Sequence, residues 1–352
     1  MNRLGVLRLA RAWQQSRSVI LTYHGVLGGA DDREDYLNHN FVAADAFERH
    51  LNYICHHYRP IALKDLVACY RRGVSPPRRS IAVTFDDGFA NNCTVAFPML
   101  KRRSIPFTVF LTTGMVDTPG AQLWSERVKR AIVLSPTTSV ALTLGGRQIP
   151  CDLRTPAARE ESARQVLTIL KRQSPADRDA SLASIEGVCG RPAIVDSERE
   201  RYEFLTWAQV RAMAAEGVEF GSHTVSHPIL STVDEDARAV ELAASKARIE
   251  TELRTECYAF AYPNGGLGDF GVADKLALRK AGYSCALTLR GGLNGRRTDL
   301  YELDRVNIGR QFDPLTFEAK VAGVLGRAKR MRETLRGLTQ GGQMVSTLPR
   351  NS

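Results

Sequence analysis

The sequence predicts an α/β protein in which parallel strands close into a barrel-like sheet. Seven short apolar runs alternate with helical patterns, and clusters of carboxylates or imidazoles directly follow two of these runs. Alternating strands and helices are typical of βαβ units, which make neighbouring strands parallel. Seven strands favour barrel closure over a small open sheet, although a doubly wound sheet has the same alternating pattern.

The length and composition fit one large domain with an insertion, or two domains. The chain has 352 residues, of which 43% are hydrophobic and 24% are charged, and this usage excludes disordered, collagen-like and coiled-coil proteins. No stretch approaches the roughly 18 apolar residues of a membrane span, and the N-terminus lacks the apolar core of a secretory signal. Seven scattered cysteines without a CxxC pair favour a reducing compartment over a disulfide framework or a cysteine zinc site.

The predicted strands are short runs rich in β-branched and aromatic residues. They occupy residues 19–26, 81–85, 107–112, 218–222, 257–262, 285–289 and 305–308. The helical patterns between them cover residues 45–57, 91–103, 206–216, 234–253 and 269–281. Thr206 followed by Gln209 has the spacing of a capping box at the start of the third of these helices.

The alternation of strands and helices is interrupted between about residues 115 and 203. This stretch is rich in Arg, Ala, Ser and Glu, shows helical patterns at 124–134 and 157–172, and contains few strand signals. We therefore predict a mostly helical insertion between the third and fourth strands of the sheet. A further helix is predicted at 314–338, after the last strand.

The net charge of +10 is concentrated at the two ends of the chain. Residues 1–18 carry +4, residues 313–352 carry +4, and residues 19–312 carry only +2. We therefore divide the chain into a basic N-terminal segment, a main domain that contains the insertion, and a basic C-terminal helix and tail. A nucleic-acid enzyme needs a basic stripe beside its site, so we expect no nucleic-acid partner. The basic ends suit either weak contact with an anionic membrane or polymer, or solvated helices without a partner.

The segment Thr84-Phe85-Asp86-Asp87-Gly88 ends the second predicted strand with two adjacent carboxylates. Neighbouring carboxylates repel each other, so this pair is costly unless a cation or a shared proton relieves the repulsion. An Asp-Asp-Gly turn on the surface is the alternative. The apolar run before it favours the carboxyl end of a buried strand, where α/β enzymes place their active sites.

The second polar cluster is His223-Thr224-Val225-Ser226-His227-Pro228, after the fourth predicted strand. Two imidazoles four residues apart can reach one ion if the backbone makes a turn, and Pro228 disfavours a helix at His227. A lone HxxxH pair is often incidental. One Asp together with two His, each after a strand end, is nevertheless a ligand set for a divalent ion that leaves positions for water and substrate.

In this order along the chain, TFDDG, HTVSH and FAYPNGG resemble the motifs of the NodB-like polysaccharide deacetylases. These are metal-dependent carbohydrate esterases that remove acetyl groups from N-acetylated sugars. The resemblance spans about residues 19–310, apart from the insertion. It implies a distorted (β/α)7 barrel, a divalent metal ion that we expect to be zinc, and water as the nucleophile.

Residue by residue, the resemblance implies that Asp86 is the catalytic base and that Asp87, His223 and His227 are the metal ligands. An ion with one carboxylate and two imidazole ligands keeps a net charge of about +1, which suits it to activate water. The third motif, Pro263-Asn264-Gly265, corresponds to the segment whose backbone N–H stabilises the oxyanion, although Asn264 stands where an aromatic residue is usual.

Two positions depart from the family pattern. The base-orienting Arg that commonly precedes the proline of the third motif is replaced by Ala261, and Arg305 in the last strand is the candidate to take its place. No histidine follows His227, so the Leu-x-His motif that supplies the general acid in many members is absent. His24, after the first strand, resembles the Tyr-His start of the poly-N-acetylglucosamine deacetylase branch. It is our candidate general acid, and a structural histidine that caps the strand is the alternative.

Three aromatic residues are candidates for stacking on a sugar ring, namely Trp124, Trp207 and Tyr262. Trp207 falls in the first turn of a predicted helix and is expected to pack in the core instead. Trp124 opens the insertion, and long insertions in barrel loops often cover active sites, so Trp124 is the preferred candidate.

The leading hypothesis is a zinc-dependent de-N-acetylase of an N-acetylhexosamine-containing glycan or glycolipid, in exopolysaccharide or cell-envelope biosynthesis. A hydrolase of a non-sugar amide would use the same site. A glycan-binding protein without turnover is a further alternative, supported by the two departures and opposed by the intact ligand set. The expected partners are N-acetylated oligo- or polysaccharides or a lipid-linked sugar. The sequence predicts a cytoplasmic protein whose basic ends contact the inner membrane leaflet.

Overall fold

Parallel strands form a nearly closed barrel in the computed structural model, which describes residues 17–29, 37, 39–310 and 312–324. In chain order, the strands are β1 (Val19–Tyr23), β2 (Gly25–Leu27), β3 (Phe41–Ala43), β4 (Arg59–Pro60), β5 (Ser80–Phe85), β6 (Phe107–Leu111), β7 (Ser139–Leu144), β8 (Arg147–Asp152), β9 (Glu219–Ser222), β10 (Ala259–Ala261), β11 (Cys285–Thr288), β12 (Leu303–Asp304) and β13 (Val306–Asn307). The main sheet has the order β12-β11-β10-β9-β6-β5-β1-β13, with β4 beside β5, and its pairings are parallel.

The two ends of this strand order meet and close the ring. β12 pairs with β11, β13 pairs with β1, and the single residue Arg305 separates β12 from β13 in the chain. Residues 303–307 therefore act as one closing strand, which brings the barrel to seven strand positions. The predicted (β/α)7 barrel is confirmed.

The helices pack outside the barrel and build most of the insertion. In chain order, they are α1 (Ala44–His57), α2 (Leu63–Arg71), α3 (Phe97–Lys101), α4 (Trp124–Val133), α5 (Pro156–Leu170), α6 (Pro175–Cys189), α7 (Arg199–Tyr202), α8 (Trp207–Ala215), α9 (Glu235–Leu253), α10 (Val272–Lys280) and α11 (Pro314–Val321). The predicted capping box starts α8, because Thr206 Oγ1 accepts from the backbone N–H of Gln209 and the Gln209 side chain accepts from that of Thr206. Across the described ranges, no helix combines the length and the apolar character needed to cross a membrane.

Two predicted helices differ from those observed. The helix predicted at 91–103 begins as a π-helical turn (Asn92–Ala96) and continues as α3, because Pro98 has no N–H to donate to the preceding turn. The helix predicted at 314–338 is described only as α11. Its part after residue 324 lies outside the described residues, as do residues 1–16 of the basic N-terminal segment.

Side chains of the barrel strands alternate between two apolar clusters, as the two-residue period of a strand requires. Ile20, Ala82 and Phe110 belong to the cluster inside the barrel. Their neighbours Leu21 and Val83 belong to the cluster outside, which also contains the buried faces of helices α1, α8 and α9. The barrel is therefore filled by its own side chains and covered by the helices that follow its strands.

The insertion is mostly helical, as predicted, and has a hydrophobic core of its own. Trp124, Val128, Val166 and Ile185 contribute to this core from three helices. The insertion also contains an antiparallel hairpin of β7 and β8, which we did not predict. Its two-residue turn is Gly145-Gly146, with φ angles of 56° and 75° that glycine adopts without steric cost.

Asn294 connects the closing strand to the start of β1. Its side chain donates to the carbonyl oxygen of Asp304 at 2.7 Å and accepts from the Asp304 backbone N–H at 2.9 Å. Its backbone forms a two-way bridge with Ser18, just before β1. Both Asn294 and Ser18 have no exposed surface, so these bonds stabilise the seam of the barrel from inside the protein.

We expect Asn294→Ala to lower the free energy of unfolding by about 2–5 kcal/mol, because it removes two buried hydrogen bonds, to the N–H and the C=O of Asp304. Chemical denaturation of the full chain measures this loss. Asn52→Ala, at an exposed position of α1 where the amide accepts one exposed hydrogen bond from Arg103, is the control and should change stability by less than about 1 kcal/mol. Equal stability of the Asn294 and Asn52 variants would contradict the role of Asn294 at the seam.

Candidate active site

Five of the predicted site residues lie around one cavity at the carboxyl ends of the barrel strands. His24 follows β1, Asp86 and Asp87 follow β5, and His223 and His227 follow β9. All five line a cavity of about 490 Å³. They meet there because parallel strands direct their carboxyl ends to the same mouth of the barrel. A larger cavity, of about 1000 Å³, lies near the amino-terminal ends of the strands and is not lined by these residues.

Asp87, His223 and His227 form a cluster of potential metal ligands. Their donor atoms all lie within 4.8 Å of one another. Asp87 Oδ1 is 3.5 Å from His223 Nε2 and 3.4 Å from His227 Nε2. The ring of His223 is oriented by its Nδ1, which lies 2.7 Å from the carbonyl oxygen of Ala261, so that Nε2 faces the carboxylate.

The electrostatics of this cluster fit a divalent cation. Burial and then the charge of Asp86 raise the pKa of Asp87 well above its usual value, and Asp87 Oδ1 is buried without a hydrogen-bond partner. Burial lowers the pKa of His223, and it lowers that of His227 well below its usual value. Both rings are therefore neutral at pH 7 and offer a lone pair. A cation would satisfy the carboxylate and both imidazoles together.

Glu241 of α9 fixes the loop that carries the two histidines. Its carboxylate accepts hydrogen bonds from the backbone N–H groups of Val225 at 2.7 Å and Ser226 at 3.0 Å, and from the Ser226 hydroxyl at 2.6 Å. Thr224 and His227 in this loop have left-handed backbones, with φ angles of 69° and 60°. Such angles are unfavourable for residues with side chains. The bonds to Glu241 stabilise this strained turn, which directs the rings into the cavity.

Asp86 forms a buried, two-pronged ion pair with Arg305. The guanidinium donates from Nη1 to Oδ1 at 2.6 Å and from Nη2 to Oδ2 at 2.7 Å, and neither residue has exposed surface. Arg305 Nε also donates to the carbonyl oxygen of Thr288 at 3.2 Å. Burial is the largest influence and acts to raise the pKa of Asp86, but the charges of Arg305 and His223 and the hydrogen bonds from Arg305 together outweigh it and hold that pKa below its usual value. Arg305 thus lies beside Asp86, as predicted, and its role in orienting a base stays a prediction.

His24 lies in the same cavity, on the turn between β1 and β2. Burial lowers the pKa of His24 to about 4, although the charge of Asp86 acts in the opposite direction. The imidazole is therefore neutral at pH 7, and its Nδ1 is buried without a hydrogen-bond partner. The ring is placed where it can face a substrate, and its role as general acid stays a prediction.

Comparison with known proteins decides the family. A family model described as polysaccharide deacetylase matches residues 73–139 and 157–286, which is more than half of the chain. This chain belongs to the polysaccharide deacetylase family. It is accordingly a hydrolase that acts on carbon–nitrogen bonds other than peptide bonds, and its substrate is an acetylated glycan.

Several known proteins are similar to this deacetylase over most of its length. The Bacillus subtilis (strain 168) protein named "Putative polysaccharide deacetylase YxkH" is 19% identical over 290 residues, covering 82% of this chain and 70% of the relative. The Streptococcus pyogenes deacetylase PplD superimposes with a TM-score of 0.59 at 18% identity, covering 87% of this chain and 99% of that one. A de-N-acetylase of Aggregatibacter actinomycetemcomitans superimposes with a TM-score of 0.57 at 16% identity, and the alignment covers 86% of this chain and 99% of that one. These structures support the barrel fold.

The third motif of the deacetylase reaches the cavity through Asn264, whose φ is 62°. Asn264 Oδ1 accepts from Lys171 Nζ at 2.7 Å, and its Nδ2 donates to Asp269 at 2.5 Å. Lys171 directly follows α5, so the insertion contacts the third motif. The expectation that a backbone N–H of this turn stabilises an oxyanion stays a prediction.

Trp124 lines the cavity, as expected for the preferred aromatic candidate. Its Nε1 donates to the carbonyl oxygen of His227 at 3.2 Å, and the guanidinium of Arg178 lies 5.0 Å from its ring centroid. The ring is 6% exposed, so only an edge of it remains open toward the cavity. This contact joins the first turn of the insertion directly to the histidine loop.

The prediction that Tyr262 contacts a sugar is wrong. Its ring has no exposed surface and stacks on Phe270 at a centroid distance of 4.0 Å. The cause is the alternation along β10, because Ala261 belongs to the inner cluster and Tyr262 to the outer one. Trp207 is also buried in the outer cluster, as expected.

The charged residues that the insertion adds to the cavity were not predicted. Glu126 and Lys129 of α4 form a buried ion pair that lines the cavity, and Lys171 lines it after α5. Charges three residues apart on a helix are typical of a solvated face, so the sequence alone offers no signal that these face a cavity.

We expect Glu241→Gln to weaken metal binding about 10- to 100-fold, because the three hydrogen bonds that hold the strained histidine loop lose their charge assistance. Competition with a chromophoric chelator measures the affinity for zinc. Glu235→Gln, at an exposed position of the same helix, is the matched control and should bind zinc as the wild type does. Unchanged affinity in Glu241→Gln would show that the loop holds its shape without this carboxylate.

Proposed function

We propose that this deacetylase is a metal-dependent de-N-acetylase, with zinc as the divalent ion, that acts on an N-acetylhexosamine-containing glycan or glycolipid. The observation that carries the proposal is one cavity that contains both the Asp87, His223 and His227 cluster and the arginine-held carboxylate of Asp86. A ligand cluster and a separate ionised base are what hydrolysis of an unactivated amide by water requires. Two neutral imidazoles and one carboxylate are also a typical zinc ligand set.

The names of similar proteins point to the same substrate class. The structure of the Streptococcus protein is that of a deacetylase in complex with acetate, and the Aggregatibacter protein is a de-N-acetylase. Acetate is the small product that removal of an acetyl group from a sugar releases. An N-acetylated oligo- or polysaccharide is therefore the substrate that we propose for this chain, with a lipid-linked sugar as a form of the same class.

Seven of the predicted site residues have a proposed part in the reaction. Asp87, His223 and His227 would hold a divalent ion, which when bound would supply Lewis-acid activation of water and of the acetyl carbonyl. Asp86, kept ionised by Arg305, takes a proton from the attacking water. His24 receives that proton in the substrate complex and gives it to the leaving nitrogen as the C–N bond breaks, so that one proton passes in net from water to the amine. The backbone N–H at Asn264 stabilises the negative oxygen on the acetyl carbon.

The proposal extends to the organisation and setting of the chain. Residues 19–312 form the deacetylase domain and include the insertion at about 115–203, while 1–18 and 313–352 are basic flanking segments. The separate hydrophobic core of the insertion supports this division. We place the enzyme in exopolysaccharide or cell-envelope biosynthesis, in the cytoplasm, with its basic ends near the anionic inner leaflet.

Release of acetate from N-acetylated oligosaccharides tests the proposed function. The full chain loaded with zinc should release acetate and expose a free amine on the sugar in equal amounts. A chelator should abolish the reaction and added zinc should restore it. Activity on simple acetamides with none on N-acetylated sugars would contradict the proposed substrate class.

We expect variants of the three metal ligands to lose bound metal and a variant of the base to keep it. Asp87→Ala, His223→Ala and His227→Ala should each lose zinc and activity, because a cluster of three ligands has none to spare. Asp86→Asn should keep one zinc per chain and lose at least about 10²-fold in turnover, because only the proton acceptor is removed. Elemental analysis alongside acetate release measures both. An Asp86→Asn protein without zinc would mean that Asp86 belongs to the metal site.

We expect His24→Ala to lower kcat on N-acetylated sugars by about 10²–10⁴ while zinc content stays unchanged, because an amine leaving group needs a proton. The kcat on an activated O-acetyl ester should fall much less, because the leaving group of that ester needs less protonation. Steady-state kinetics on both substrates with the same zinc-loaded preparation measures the difference. Equal losses on the amide and the ester would assign His24 a structural role.

A further inference from the structure

Glu126, in the first turn of α4, presents a carboxylate oxygen to the active-site cavity that no protein group satisfies. The residue is 5% exposed and lines the cavity together with Asp87 and His24. Its Oε1 pairs with Lys129 Nζ, which is equally buried. Its Oε2 is buried without a hydrogen-bond partner. One oxygen of this carboxylate is therefore occupied and the other is left open.

An open carboxylate oxygen at this depth needs an explanation. Leaving a buried charged acceptor without a donor is unfavourable, and native structures contain few such groups. The unpartnered Oδ1 of Asp87 in the same cavity is accounted for by a cation. That account does not extend to Glu126, because the cluster whose donor atoms lie within 4.8 Å of one another contains only Asp87, His223 and His227. Glu126 is thus outside the metal ligand set.

The surroundings of Glu126 favour a neutral ligand that donates hydrogen bonds. An ionised carboxylate accepts hydrogen bonds and repels anions, so a phosphate or a carboxylate of a ligand is excluded from this position. Trp124 lies two residues earlier on the same turn and lines the same cavity. A pyranose offers apolar C–H faces that pack against an aromatic ring and hydroxyl groups at its edge that donate. The carboxylate of Glu126 matches the hydroxyl groups, and the small exposed part of Trp124 offers an apolar contact to a C–H group.

We propose that Glu126 is a specificity-determining residue whose Oε2 accepts a hydrogen bond from a hydroxyl group of the sugar, with Lys129 holding the carboxylate in place. The proposal rests on the proposed function, since it assigns a contact to the substrate of that reaction. It also gives the insertion a role, because α4 supplies both the acceptor and the neighbouring Trp124. Selectivity for the sugar follows, since a site built to accept from a hydroxyl discriminates against a ligand that lacks it.

Glu126→Gln tests the contact with little change in shape. Lys129 only donates, so the amide oxygen of the new side chain is expected to pair with Lys129 and to turn the amide NH2 toward the cavity. The cavity then presents a donor where it presented an acceptor. We expect the Kd for an N-acetylglucosamine tetramer to rise about 10- to 100-fold, with unchanged zinc content.

Glu186→Gln is the matched control. Glu186 accepts two hydrogen bonds from Arg127, the residue next to Glu126 on α4, at 2.8 and 2.7 Å, and it is not among the residues that line the cavity. This variant breaks an ion pair of the same insertion by the same substitution. Its Kd for the tetramer should equal that of the wild type, which separates a lost sugar contact from a loosened insertion.

Monodeoxy analogues of N-acetylglucosamine provide the decisive measurement. One analogue should bind the wild type about 10- to 100-fold more weakly than the parent sugar and should show no such difference with Glu126→Gln. Equal Kd values of the wild type and Glu126→Gln for the parent sugar, or equal losses in both proteins for every analogue, would overturn the inference. A wild type that binds the sugar without releasing acetate would contradict the proposed function alone.

Discussion

The ion pair between Asp86 and Arg305 is the interaction on which the rest of the site depends. Two adjacent carboxylates are buried at the end of β5, and their mutual repulsion would be prohibitive without compensation. Arg305 neutralises one of them through two hydrogen bonds, which leaves Asp87 to face the histidines. Arg305 is also the residue between β12 and β13, so the strand that closes the barrel and the charge that stabilises the site come from the same place in the chain. Arg305 therefore takes part both in closing the barrel and in stabilising the active site.

The insertion forms part of the wall of the active-site cavity at the mouth of the barrel. Its first helix contacts the histidine loop through Trp124, and the residue after its second helix contacts the third motif through Lys171 and Asn264. The insertion therefore touches two of the three motifs while keeping a hydrophobic core of its own. A wall built in this way can carry substrate selectivity without altering the ligand cluster, which is supplied by the ends of barrel strands.

The sequence alone predicts the features that depend on short segments, such as strands, helices and the polar residues that directly follow them. The strand ends that carry Asp86, Asp87 and His223 follow from apolar runs. Arg305 became a candidate only through the resemblance to the deacetylase family, whose usual arginine position is Ala261 in this chain. The hairpin turn at Gly145-Gly146 had a recognisable signal that we did not use. Glu126 and Glu241 had none, because a charge on a helix looks the same in sequence whether it faces water or a cavity. The low pKa of His24 likewise depends on burial that only the assembled fold creates.

The central claim is that the barrel mouth holds a divalent ion through Asp87, His223 and His227. X-ray absorption at the zinc edge, on the full chain loaded with one equivalent of zinc, tests it most directly. The account predicts two imidazole nitrogens and a carboxylate oxygen at about 2.0–2.2 Å, with water completing the shell. Sulfur scattering at about 2.3 Å, or a shell of oxygens without imidazole, would contradict it.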